Sequence, residues 1–218
     1  MAGRQAWLDG EGCVVLMWWG RIGVMKNILY TIILSFLFSS GVFADWEIGA
    51  KAYNAGDYAT ALKEFRPLAK QGHVDAQYFL GDMYMNGNGV VRDYKKALKW
   101  YQLAVEQGYA TAGHQLGVMH HYGWGVKTNY KEALKFYRLA APQVVQSQYS
   151  LGAMYYQGQG VDQDIVIAYM WFYVAAENGN PRSKGNINVL AKEMKPKQIA
   201  KAQELARECV EKNYKDCG

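Results

Sequence analysis

The chain has 218 residues and a formal net charge of +5, and half of its residues are hydrophobic. Its 24 basic and 19 acidic residues are spread along the sequence. No basic patch is interleaved with aromatics, which argues against nucleic acid as a partner.

Residues 1–24 are rich in glycine and tryptophan (Trp7, Trp18, Trp19) and show no helical or strand period. Two readings fit them: an over-extended reading frame with Met25 as the true start, or a disordered extension. Residues 25–44 read as a secretory signal peptide. Lys26 supplies the charge, an apolar run extends from Ile28 to Val42, and cleavage is expected between Ala44 and Asp45. The run is about 15 residues, shorter than the ~20 of a membrane-spanning helix. No cysteine sits just after the cleavage point, so no lipid anchor is expected, and once the short apolar run is cleaved off no stable membrane insertion is expected. The expected location is the periplasm or the cell exterior.

From residue 45 onward the sequence repeats itself. A Leu-Gly pair recurs at 80–81, 116–117 and 151–152, and a Gly-x-Gly-Val turn at 87–90, 123–126 and 158–161, with a period of 36 and then 35. Each unit predicts a helix, a glycine-terminated turn and a second helix. The turn glycines suit the left-handed backbone of helix ends. Asp93, Asn129 and Asp164 stand where the second helix needs an N-cap. Ala97, Trp100, Tyr101 and Ala104, matched by Ala133, Phe136, Tyr137 and Ala140 and by Ala168, Trp171, Phe172 and Ala175, have amphipathic helical spacing. A glycine kept inside the first helix, at Gly81, Gly117 and Gly152, predicts a close approach of the neighbouring helix backbone, because glycine there costs up to ~1 kcal/mol against alanine. Residues 45–72 follow the same scheme with a shorter loop, Gly49 standing for Gly81. The units are therefore 45–72, 73–108, 109–144 and 145–180. Residues 181–218 predict a helix near 182–193, a break at Lys195-Pro196 and a long polar-faced helix, read as a C-terminal cap. Cys209 and Cys217 are close together in an exported chain, and a disulfide is expected between them.

The Leu-Gly-x-Met-Tyr and Gly-x-Gly-Val segments resemble the Sel-1-like repeat family, related to tetratricopeptide repeats, over nearly all of 45–180. Unit 109–144 departs from the pattern, with His120 in place of tyrosine and Pro142-Gln143-Val144 in place of the usual ending. The resemblance implies an all-α, right-handed α-solenoid of antiparallel helix pairs with a concave inner surface. It also implies adaptor or scaffold work, in bacterial envelopes or host contact, through a protein or peptide partner. A β-lactamase-like hydrolase is the alternative, by analogy with cysteine-rich relatives. Those carry a cysteine pair in each repeat, and this chain has none within its repeats.

The search for chemistry is mostly negative. There is no Gly-x-Ser-x-Gly, Ser-x-x-Lys, P-loop or His-Glu-x-x-His pattern, so no catalytic residue, cofactor or metal is expected. His114 and His121 share a helical face, but His114 stands in the slot of Tyr78 and Tyr149. In tetratricopeptide-like arrays the first helices line the groove. Registered on the shared glycine, the expected partner-binding groove is Trp46, Tyr78, His114 and Tyr149 in one row, Asp82 in a second, and Tyr53, Met85, His121 and Tyr156 in a third. Aromatics there offer contact area with few rotors to freeze. The competing reading is that these rings pack between neighbouring first helices.

Overall fold

The structure is a computed structural model, and it describes residues 46–218. The expected leader 1–24 and signal peptide 25–44, the expected cleavage point and Cys13 lie outside the described residues. Every regular element among the described residues is helical. Four hairpins come first: α1 (46–54) with α2 (Tyr58–Lys70), α3 (Val74–Asn86) with α4 (Tyr94–Glu106), α5 (Ala110–Tyr122) with α6 (Tyr130–Ala140), and α7 (Val145–Gln157) with α8 (Ile165–Glu177). Then follow α9 (Ser183–Glu193) and α10 (Pro196–Glu211), both packed on α8. Each hairpin leans on the next through its second helix, α2 on α3, α4 on α5 and α6 on α7, so the chain is an α-solenoid.

Helix ends follow from local chemistry. The carboxylates of Asp57, Asp93 and Asp164 and the amide oxygen of Asn129 accept from backbone N–H groups of the first turn at 2.8–3.2 Å. Such caps satisfy donors that the helix itself leaves orphaned. The first helices end on Gly87, Gly123 and Gly158 in the left-handed region. Each turn then closes identically: the N–H of the coming cap residue, Asp93, Asn129 or Asp164, donates to the carbonyl of Tyr84, His120 or Tyr155.

The glycine inside each first helix has a partner that spacing alone does not reveal. A Cβ on Gly49, Gly81, Gly117 or Gly152 would lie 2.5–2.8 Å from the ring of Phe65, Tyr101, Tyr137 or Phe172. The glycine thus seats an aromatic ring of the second helix, which corrects the expectation of a close backbone approach. Tyr101 and Tyr137 are at most 2% exposed, so each ring is fixed in its own hairpin. The residue before the ring packs at a cluster edge: Trp100 on the core shared by α1, α2 and α3, and Phe136, stacked on His120, on that shared by α3, α4 and α5.

A second set of glycines keys the turns. A Cβ on Gly89, Gly125 or Gly160 would meet Tyr58, Tyr94 or Tyr130 at 2.8–2.9 Å. Each of these tyrosines is the first residue of the second helix in the preceding hairpin. At the far end Cys209 and Cys217 form a disulfide that folds the segment after α10 back onto it.

Candidate partner-binding surface

The expected groove residues all lie on the first helices α1, α3, α5 and α7, and few of the rings stand free. Trp46 stacks on His73 at 5.0 Å and packs against Phe65 and Phe79. Tyr78 packs against Tyr101 and Tyr109. Tyr149 packs against Phe172, and its hydroxyl accepts from the Asn186 amide at 3.2 Å. All three are half-buried. The rings of the first row therefore take part in packing within and between hairpins.

His114, in the same row, packs on Tyr137 and shares a 2.9 Å hydrogen bond with the hydroxyl of Ser147 across the joint to the fourth hairpin. Burial pushes its pKa down to about 4, so the imidazole is neutral at physiological pH. Ser147 is fully buried, which bars it from meeting a substrate. His120 and His121 are likewise held below the ordinary imidazole range by burial. Among the described residues no group of three or more His, Cys, Asp or Glu is placed to hold a metal ion.

In the remaining rows Met85 is buried, Tyr53 and His121 are half-buried, and Tyr156 reaches solvent at 36% exposure. The Tyr53 hydroxyl donates to the Asp82 carboxylate. Desolvation first, and then this carboxylate, push the Tyr53 pKa far above its ordinary value, so it stays a donor.

The most open rings were not among the expected groove residues. Tyr122 is 61% exposed and Trp124 37%. Tyr94, Trp124 and Tyr122 form a ladder, with stacked centroids 5.9 Å and 5.3 Å apart. The Arg92 guanidinium caps its far end, 5.3 Å from the Tyr94 centroid. Beside the ladder a pocket of about 460 Å³ opens between α3, α5 and the turn, lined by Asp82, Arg92, Tyr94, Gln115 and Trp124 among others. The signal for Tyr122 and Trp124 lay in the repeats themselves: the matching positions carry Asn86 and Asn88 in one unit and Gln157 and Gln159 in another.

Comparison with known proteins places this geometry. Residues 74–109, 111–142 and 145–180 each match the Sel1 repeat. The crystal structure of a Sel1 repeat protein from Oxalobacter formigenes is 32% identical, covers 65% of this chain and 58% of its own, and superposes with a TM-score of 0.61. That of a protective antigen present in uropathogenic Escherichia coli strains, displaying an SLR fold, is 27% identical, covers 81% of this chain and 47% of its own, with a TM-score of 0.56. The chain thus spans less than two thirds of the length of either. No curated protein matches it.

Proposed function

We propose that this chain, which carries three Sel1 repeats, is an exported adaptor that holds a protein or peptide partner along the face formed by its first helices. The observation that carries this reading is the exposure of Tyr122 and Tyr156 in the last turns of the first helices α5 and α7, and of Trp124 just after α5. Exposed rings add nothing to a core, and large aromatics of this kind dominate binding hot spots. The rings of the first row, Trp46, Tyr78, His114 and Tyr149, shape the floor on which a guest would lie.

In this reading 45–180 is the working array and 181–218 its cap. Val174 is buried in one core with Ala206 of α10, whereas its counterparts Leu103 and Leu139 are 40% and 56% exposed. Export is supported by the Cys209–Cys217 disulfide, a bond that persists in oxidising compartments. No helix among the described residues is long and apolar enough to cross a membrane. Catalysis is not part of the proposal. The hydrolase activity attached to cysteine-rich relatives goes with cysteines inside each repeat, and both cysteines among the described residues follow the last repeat.

The test uses the full chain as bait in an envelope extract, with bound proteins identified by mass spectrometry. The double variant Tyr122→Asn, Tyr156→Ala should recover about fivefold less of the leading partner, the loss of a modest hot spot, with an unchanged melting temperature. Undiminished recovery defeats the proposal.

A further inference from the structure

The four repeats act as controls for one another, and they single out the pocket between the second and third hairpins. Where that pocket has Asp82, the other units carry Ala50, Val118 and Ala153. Where it has Arg92, they carry Thr128 and Gln163, and Trp124 faces Asn88 and Gln159 in the same comparison. Hairpins of this kind fold without a carboxylate, a guanidinium or an indole at these places. Their convergence on one cavity of about 460 Å³ is therefore not a demand of the fold.

The chemistry of the lining selects the occupant. Asp82 is half-buried and has no basic partner within ion-pair distance among the described residues. One of its oxygens takes the Tyr53 hydroxyl, and the carboxylate keeps further acceptor capacity. Gln115 adds an amide oxygen, and Met85 and the Trp124 ring offer apolar surface for a methylene stem. Arg92, the one positive group of the lining, lies over the Tyr94 ring rather than on Asp82. That ring ladder therefore already holds one guanidinium, as electron-rich faces do. We infer that the pocket receives an arginine or lysine side chain of the bound partner, its cationic head on Asp82 and its stem along Trp124. This rests on the groove reading above and names the chemistry of the guest at one point of it.

The experiment measures binding of the full chain to three labelled pentapeptides, Ala-Ala-X-Ala-Ala with X arginine, citrulline or glutamate, by fluorescence anisotropy. Citrulline keeps the shape of arginine and removes its charge. The arginine peptide should bind at least about tenfold more tightly than the citrulline peptide, the scale of one charge-assisted hydrogen bond. Asp82→Ala should abolish that difference, Trp124→Gln should weaken the arginine peptide, and Arg92→Gln should strengthen it by relieving repulsion. Each variant installs a residue that a sister repeat already carries, so folding is retained, with circular dichroism as the check. Equal binding of arginine and citrulline peptides, or no binding of either, overturns the inference. So does preference for the glutamate peptide lost in Arg92→Gln, which would make the pocket an anion site. In all these cases capture of the partner through Tyr122 and Tyr156 decides the groove reading separately.

Discussion

The joint between the second and third hairpins differs from the joints on either side of it. At the first joint the buried Gln77 donates to the Ala69 carbonyl at the end of α2 and accepts from Gln107 at the end of α4. At the third, Gln148 repeats this, donating to the Ala141 carbonyl and accepting from Asn178. The equivalent residue at the middle joint is Gly113, although Gln143 still stands where Gln107 and Asn178 do. The joint without the glutamine is the one that opens the polar pocket and carries the Trp124 ladder. Two clamped joints flank an unclamped one, so the array gives up a buried hydrogen-bond bridge at the place where its surface is least like its own repeats.

Acid offers the largest contrast. His114 crosses only the third joint, and its folded pKa of about 4 lies below the ordinary value of 6.5. Between those values the unfolded chain binds a proton that the folded chain refuses. Stability contributed by the neutral, buried ring is therefore complete above pH 6.5 and is lost as pH falls toward 4. The loss should be on the order of 2–3 kcal/mol across that window. Urea titrations at pH 7 and pH 4.5 should show His114→Tyr, which installs the residue of Tyr78 and Tyr149, to be much less acid-sensitive than the parent. Equal acid sensitivity would refute the assignment.

Gln148→Gly copies the middle joint into the third. It removes the donor from the buried Ala141 carbonyl and one acceptor of the exposed Asn178 amide, which keeps its bond to Tyr214, and it should cost about 1–3 kcal/mol in urea denaturation. A loss below about 0.5 kcal/mol would mean that the glutamine is not a clamp. The reverse change is the gentlest. At Gly113 a Cβ would find only ordinary contacts, the nearest 3.6 Å away on Ala140, so there is room for a side chain. Gly113→Gln should add about 1 kcal/mol by restoring helix propensity and the bridge toward Gln143. A destabilised variant would show that this joint is shaped to exclude the clamp.

These contrasts also mark how far the sequence could be read. Periodicity states which residues are equivalent, so the hairpins, the Asp93, Asn129 and Asp164 caps and the Cys209–Cys217 pair were legible from residues alone. Periodicity does not state which neighbour an equivalent residue touches. Gly81 announced a close approach, yet only the fold shows that a Tyr101 ring makes it. Tyr78 and Tyr149 had the spacing of a groove, and the fold shows them half-committed to Tyr101 and Phe172. Tyr122 and Trp124 broke the pattern of their sister repeats, and a departure from periodicity is the signal that a search for shared features passes over.

The seating of Gly125 on Tyr94, and of Gly160 on Tyr130, gives the array a direction. Three successive turns, at Gly89, Gly125 and Gly160, each seat on the helix start of the hairpin before, like tongue-and-groove boards laid from one end. Ile165 breaks the series, since α8 begins with a residue that no later turn of this kind comes to meet. The far end is closed by a different device, the packing of α9 and α10 on α8.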